Sequence, residues 1–378
     1  MKQRQLSLRI GVPVAALLFA ASAGAQQEME VRIGHVAPLS GGQAHYGKDN
    51  ERGAIMAIED LNARNLTIGG KKVKFKLLSE DDAADPKQGT QAAQKLVDAK
   101  VHGVVGHLNS GTTIPASKIY FDAGIPQITP SATNPKYTQQ GFKTAFRILA
   151  NDNALGAATA VYATKTLKAK RVAVIDDRTA YGQGVADIFE KVAKQNGAEV
   201  VSRQFTNDKA NDFNAILTTI RAAKPEVIFY GGMDAQAGPM LRQMKQLGIN
   251  AKFMGGDGIC TVELAKIAGD AIGDHVFCAE GGSSLDKMPK GKEFRSRFEA
   301  KFKDQIQVYA PYVYDGVMTL AAAMQKANSI EPAKYLPELA KIQYDGVTTK
   351  VQFDATGELM NAATTLYNYP SGKKTPVN

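Results

Sequence analysis

Short apolar segments alternate with longer helical segments along most of the chain, and this alternation limits the fold more than any other feature. The first half has apolar runs at 29–39 and 102–108, with a helical pattern at 47–64 between them. The alternation restarts at 171–177, which precedes a helical pattern at 182–197. Strands that are apolar throughout are typical of parallel sheets covered by helices on both faces. The sequence therefore predicts an α/β fold with two units in tandem, and 44% hydrophobic residues among 378 suffice for two cores.

The first 25 residues have the features of an export signal. Three Lys and Arg residues precede an apolar run at 10–21, which is too short to cross a bilayer. The tripeptide Ala-Gly-Ala at 23–25 then fits the small-residue rule for cleavage. We predict a signal peptide over residues 1–25, cleaved after Ala25. No later segment reaches 18 consecutive apolar residues, so the mature chain is predicted to be soluble and periplasmic.

The chain has two cysteines, Cys260 and Cys278. An oxidising compartment and an even count favour a disulfide between them. The alternative is a pair of buried thiols, because the sequence does not show their separation. The five histidines are dispersed and form no cluster with metal-ligand spacing, so we expect neither a metal site nor a cofactor.

Motifs of several other function classes are absent from the sequence. There is no phosphate-binding G-x-x-x-x-G-K-[ST], no dinucleotide-binding G-x-G-x-x-G and no G-x-S-x-G nucleophile elbow. The formal charge of +9 comes from scattered lysines without an aromatic-basic stripe. We therefore expect neither an enzyme nor a nucleic-acid-binding protein.

Ligands of open α/β sheets bind beyond the carboxyl ends of the strands. At one such end, the segment GHLNSGTTIPAS at 106–117 places small hydroxyl residues where a helix begins. The N–H groups of a helix N-terminus can hold an anion there, although an ordinary N-cap is the alternative. The strand ends of the second half instead carry aspartates: Asp176, Asp177, Asp234 and Asp257. Donors that face carboxylates across a cleft would suit a zwitterion.

Four long segments resemble the branched-chain amino acid-binding proteins, the periplasmic receptors of ABC importers. They are DDAADPKQGTQAAQKLV, GHLNSGTTIPASKIY, GIPQITPSATNP and YGQGVADIFEK. The resemblance covers nearly the whole mature chain and implies a type I periplasmic-binding fold, with two Rossmann-like lobes joined by three crossovers. It implies an N-terminal lobe of residues 28–149 plus 281–353. The C-terminal lobe is then 150–280 plus 354–378.

The resemblance also implies a ligand site between the lobes. Ser110 matches a serine that contacts the ligand carboxylate, and Thr133 matches a threonine near both the α-amino and carboxylate groups. Asp257 stands where the family has a glutamate for the ammonium group, with a turn aspartate as the alternative. The further residues of the implied site are Leu108, Ser131, Ala132, Tyr46, Tyr181 and Met233.

At three positions of this implied site, the sequence allows another role or departs from the family. Tyr46 and Tyr181 match aromatic residues of the site, and each could instead be a packing tyrosine. Met233 departs from the tyrosine of the leucine, isoleucine and valine binders, and a methionine can reshape a pocket.

The resemblance implies a monomeric receptor that passes a small aliphatic, branched-chain amino acid to the permease subunits of an ABC importer. Within that class, the alternative is a related small ligand such as an aromatic acid, an amide or urea. From another class, the alternative is a secreted α/β enzyme.

Overall fold

The computed structural model describes residues 28–377 and contains two sheets, each flanked by helices. The predicted signal peptide, residues 1–25 with cleavage after Ala25, lies outside the described residues. The sheets are mainly parallel, which confirms the predicted α/β class with two Rossmann-like lobes. Among residues 28–377, no helix combines the length and apolar character that a membrane span requires.

The first sheet has six strands in the order β2-β3-β1-β4-β5-β6. Their bounds are β1 Met29–Ala37, β2 Thr67–Ile68, β3 Lys71–Asp81, β4 Gly103–Gly106, β5 Gln127–Thr129 and β6 Ala145–Arg147. Only the β2–β3 hairpin is antiparallel among these pairs.

The second sheet has seven strands in the order β15-β14-β11-β10-β9-β7-β8. Their bounds are β7 Arg171–Asp176, β8 Glu199–Phe205, β9 Val227–Gly231, β10 Lys252–Gly255, β11 Val276–Glu280, β14 Thr365–Asn368 and β15 Thr375–Pro376. A separate antiparallel pair consists of β12 Tyr344–Asp345 and β13 Lys350–Val351. The strands β14 and β15 are antiparallel to their neighbours in the sheet, and a short 3-10 turn at Pro370–Gly372 connects them.

Helices cover both sheets. Their bounds are α1 Ala44–Ala63, α2 Pro86–Asp98, α3 Ser110–Asp122, α4 Lys136–Gln139, α5 Asp152–Val161, α6 Ala180–Gln195, α7 Asn214–Ala223, α8 Asp234–Gln246, α9 Val262–Ala268, α10 Gly291–Phe302, α11 Ala310–Lys326 and α12 Pro332–Leu339. In the first lobe α1 packs against α11, and α2 packs against α3. In the second lobe α5 packs against α6, and α8 packs against α9.

The apolar strands are buried on both faces, as their composition predicts. Along β7, Val172 and Val174 face one hydrophobic cluster, while Ala173 and Ile175 face another. Successive side chains of a strand point to opposite faces, so an uninterrupted apolar run supplies two cores at once. The local pattern of each strand therefore accounts for the layered packing of its lobe.

The chain passes between the sheets three times, after β6, after β11 and after β13. The exact residues at which one lobe ends and the other begins, 149/150, 280/281 and 353/354, stay predictions. Near the third passage, the Arg147 N–H donates to the Gly357 carbonyl, and the Arg147 side chain pairs with Glu358. Residues just beyond 353 are therefore bonded to the end of the first sheet.

The structure confirms the disulfide between Cys260 and Cys278, whose Cα atoms are 5.3 Å apart. Cys278 lies within β11, and Cys260 follows a short 3-10 turn at Asp257–Ile259. The apolar segment 252–258 is a strand only as far as Gly255, because the chain turns there to form the loop that carries Asp257.

Candidate ligand-binding site

The first side of the site is the start of α3, directly after β4. Asn109 is the N-cap residue, and Ser110 is the first helical residue. The Ser110 hydroxyl accepts a hydrogen bond from the Asn134 N–H at 3.1 Å, so it bonds the neighbouring loop and does not cap its own helix. The first N–H groups of a helix have no partner within it, and they attract negative charge. This end of α3 is therefore suited to a carboxylate.

The second side is the loop after β5, at residues 130–134. Both backbone polar groups of Ala132 have partners within the first lobe, since its N–H donates to Thr129 Oγ1 and its carbonyl accepts from the Arg147 side chain. Thr133 is 1% exposed, and its hydroxyl has no hydrogen-bond partner among residues 28–377. Ser131 accepts a hydrogen bond from Asn50. The polar groups of Ala132 therefore already have partners, whereas the buried Thr133 side chain lies beside Asp152 and lowers the pKa of that carboxyl.

The third side is the turn after β10 in the second lobe, which carries Asp257 and Gly258. Tyr46 of the first lobe donates to the Gly258 carbonyl at 2.7 Å, and the Gly258 N–H donates to the Tyr181 hydroxyl at 2.8 Å. Tyr309 of the first lobe donates to Asp257 Oδ2 at 2.8 Å. A Cβ atom at Gly258 would lie 2.5 Å from the Gly232 carbonyl oxygen, so only glycine fits this turn. Tyr309 therefore holds the Asp257 carboxylate directly, and Tyr46 and Tyr181 hold the backbone of the neighbouring Gly258.

Burial controls the electrostatics of Asp257. The side chain is 1% exposed, and desolvation raises the pKa of its carboxyl to about 6, while the Tyr181 and Tyr309 hydroxyls oppose this rise. Its Oδ1 atom has no hydrogen-bond partner within the described chain. A buried carboxylate oxygen that lacks both water and a protein donor is suited to a cationic ammonium group.

Asp152, which the sequence reasoning missed, lies close to this region as the first residue of α5. It is fully buried, and neither of its carboxylate oxygens has a hydrogen-bond partner in the part of the chain that the structure describes. Burial raises the pKa of Asp152 well above its ordinary value, and the negative charge of Asp257 raises it further. The Asp152 N–H donates to the Thr133 carbonyl at 2.9 Å, which places both residues at the start of the crossover. Asp152 follows the end of β6, so the strand-end rule could have found it.

These elements enclose a small cavity between the lobes. Six predicted residues line it: Leu108, Ser110, Ser131, Tyr181, Met233 and Asp257. Three others that were not predicted complete it: Asn109, Gly258 and Tyr309. The cavity offers about 10 Å³ to the centre of a water-sized sphere, which is room for roughly one water molecule.

The other predicted residues lie outside the lining of this cavity. Tyr46 instead bridges the lobes through Gly258, and Thr133 and Ala132 lie in the loop beside it. Their roles as ligand contacts stay predictions. No sequence signal indicated Tyr309, because it precedes α11 in a segment that follows no strand.

The remaining strand-end aspartates are separated from this cavity. Asp234 Oδ2 accepts from Thr261 at 2.6 Å and bonds to His45 Nε2 at 2.8 Å. Asp176 pairs with Arg203, and Asp177 lies in a turn further along the cleft. Among the described residues, no group of three or more His, Cys, Asp or Glu side chains could hold a metal ion.

The comparisons with known proteins agree with this architecture. A family model described as "Periplasmic binding protein" matches residues 30–374. The chain belongs to the periplasmic binding protein family.

Two relatives and one solved structure illustrate the similarity. An "Amino acid binding protein" of Pseudomonas aeruginosa is 38% identical over 341 residues, covering 90% of each chain. A "Leucine-, isoleucine-, valine-, threonine-, and alanine-binding protein" of the same organism is 34% identical over 339 residues, again covering 90% of each chain. The Streptococcus pneumoniae branched-chain amino acid substrate-binding protein LivJ, solved in complex with isoleucine, superposes with a TM-score of 0.84. It is 27% identical, and the match covers 92% of this chain and 99% of that one.

Proposed function

We propose that this protein is a periplasmic receptor that binds a small aliphatic, branched-chain amino acid between its lobes and passes it to the permease of an ABC importer. One observation carries the proposal: the N-terminus of α3 and the buried Asp257 carboxylate line the same inter-lobe cavity. The α3 start with Ser110 suits the ligand carboxylate, and Asp257, whose Oδ1 atom has no partner among residues 28–377, suits the ammonium group. Leu108 and Met233 add apolar surface for an aliphatic side chain.

The geometry supports a ligand that is held and released without chemical change. Ser110 and the N–H groups of α3 are neutral donors, which hold a carboxylate without the strength of a charged pair. We propose accordingly that the protein is non-catalytic, monomeric and exported by cleavage after Ala25. Two relatives support the ligand class: one is named for binding leucine, isoleucine, valine, threonine and alanine, and the other was solved with isoleucine.

A thermal-shift screen over the twenty amino acids tests the proposal. Leucine, isoleucine or valine should raise the melting temperature, because a ligand that binds only the native state stabilises it by RT ln(1 + [L]/Kd). Ser110→Ala should weaken leucine binding by about 1–3 kcal/mol, as expected for a lost hydrogen bond to a charged group. A response to benzoate or urea with none to any amino acid would contradict the proposed ligand class, and turnover of a ligand would contradict a non-catalytic receptor.

A further inference from the structure

A second, larger cavity lies between the lobes, directly beside the one described above. Asn109, Tyr181 and Met233 line both cavities, so these three side chains form the partition between them. The outer cavity measures about 440 Å³, against about 10 Å³ for the inner one on the same scale. A ligand whose α-ammonium and α-carboxylate groups occupy the inner position would therefore extend any longer side chain past Met233 into the outer cavity.

The walls of the outer cavity carry hydrogen-bond acceptors. Asp177 lines it and is 2% exposed. Its Oδ1 atom accepts from the Thr179 N–H at 2.9 Å and hydroxyl at 2.6 Å, whereas its Oδ2 atom has no partner between residues 28 and 377. Asn109 donates from Nδ2 to Gln43 at 2.7 Å, and its Oδ1 atom is likewise without a partner in that range. Buried acceptors of this kind are stabilised by an N–H donor from a ligand.

The other lining residues fit the same chemistry. Ala84, Pro86 and Ala180 provide apolar surface that a methylene chain could cover. The cavity also contains Arg178, but its guanidinium group lies 3.4 Å from the centre of the Phe205 ring and is engaged there. The acceptors, rather than this cation, therefore define what the outer cavity attracts.

We propose that the outer cavity is a side-chain subsite for unbranched amino acids that end in N–H donors, namely a primary amide or an ammonium group. The inference rests on the proposed function, because it requires the inner position to hold the α-amino acid group. It extends the ligand class beyond small aliphatic residues. Burial raises the pKa of Asp177 to about 6, which agrees with a carboxylate that lacks a compensating charge in the protein.

The test is isothermal titration calorimetry with a series matched in chain length. Norleucine, glutamine, glutamate and lysine have similar lengths and differ at the end of the side chain, and leucine serves as the reference for the inner position. Lysine and glutamine should bind at least tenfold more tightly than norleucine, and glutamate more weakly than glutamine. Asp177→Asn, which retains the Oδ1 acceptor for Thr179, should reduce lysine affinity at least tenfold while leucine affinity stays within twofold.

Two further variants separate the subsite from a structural effect. Asp208 also lines the outer cavity and is partly exposed, so Asp208→Asn should fold and should weaken lysine binding more than glutamine binding. Asp212 is an exposed carboxylate of the same lobe outside the cavity lining, and Asp212→Asn should leave all five affinities unchanged.

The outcomes distinguish this inference from the proposed function. The inference is overturned if lysine and glutamine bind no more tightly than norleucine, or if Asp177→Asn changes all five affinities equally. In both cases, leucine binding by the unmodified protein would leave the proposed function standing. If none of the five amino acids binds, both fail.

Discussion

Two carboxylates are buried at or near the inter-lobe cavity: Asp257 lines it, and Asp152 lies close by. Both have raised pKa values, chiefly through burial, and both have oxygens without partners among residues 28–377. An isolated buried charge is costly, and pairing it with an ammonium group offsets part of that cost. At the residue scale, burial therefore shifts both carboxyls toward the protonated form, and a bound cation would shift them back toward the ionised form.

This difference predicts that affinity depends on pH. The folded-state pKa of about 6 for Asp257 lies above its ordinary value of 3.8, so the unliganded protein gains a proton as the pH falls through 6. Ammonium binding requires the charged form and releases that proton. Leucine affinity should therefore fall below pH 6, approaching tenfold per pH unit, and should level off above about pH 7. Titration calorimetry in buffers of different ionisation enthalpy measures both the affinity and the released protons.

Two substitutions at Asp257 provide the controls. Asp257→Asn removes the charge and should lower leucine affinity by at least about 2 kcal/mol. It should also flatten the pH profile between 5 and 7. Asp257→Glu retains the charge, so its affinity should stay within about tenfold of the unmodified protein, or roughly 1.4 kcal/mol. An unchanged pH profile in the Asn variant would assign the released proton to Asp152.

At the scale of elements, the turn after β10 depends on its connection to β11. The Cys260–Cys278 disulfide joins the end of that turn to the middle of the strand, and both sulfurs are buried. The two residues are 18 apart in sequence, so the bridge closes a short loop. The turn that carries Asp257 is therefore attached to the sheet on both sides, by β10 and by the disulfide.

We predict that replacing both cysteines by alanine lowers the free energy of unfolding by about 3 kcal/mol, because the unfolded chain regains the entropy of the open loop. Denaturant unfolding measures this loss. Leucine affinity should change by less than about threefold, since Tyr46, Tyr181 and Tyr309 still hold the turn. For the unmodified protein, alkylation under denaturing conditions without reductant should leave no modified thiol in the intact mass. Two alkylated thiols would contradict the bridge.

At the scale of the whole molecule, hydrogen bonds cross from one lobe to the other around a cavity too small for an amino acid. Tyr46 bonds to Gly258, and Asn134 donates from its side chain to the Ala180 carbonyl at 2.6 Å. His45 bonds to Asp234 across the same cleft. Because the inner cavity has room for about one water molecule, the lobes must separate to admit a ligand and then close over it.

We predict that Tyr46→Phe weakens leucine binding by about 1 kcal/mol, since it removes a hydrogen bond made only when the lobes are closed. Small-angle scattering should show compaction of the unmodified protein on adding leucine. The variant should need more leucine for the same change. Tyr314 supplies a matched control, because its hydroxyl donates to Asp60 within the first lobe at 2.6 Å. Tyr314→Phe should lower the melting temperature and leave leucine affinity unchanged, and equal affinity losses in both variants would contradict the closure argument.

The sequence by itself determined the α/β class with its two units, because the alternation of strands and helices depends on local patterns. Apolar runs such as 171–177 predicted two-sided burial. Asp85 followed by Pro86 is likewise a local pattern typical of a helix start, and α2 begins there, with the Asp85 side chain accepting from the Gln88 N–H at 2.9 Å. The strand-end rule and the family resemblance placed Ser110 and Asp257 at the cavity. Each of these features depends on residues that are close in sequence or on a recognisable motif.

Only the tertiary structure decided which side chains near the cavity are buried with unsatisfied polar groups. Tyr309 reaches Asp257 from 52 residues away, and Asp152 is buried beside Thr133 because the chain crosses between the lobes there. Ala132 shows the opposite case, since Thr129 and Arg147 already bond its polar groups. Burial and hydrogen-bond satisfaction are properties of the packed molecule, and no local pattern encodes them.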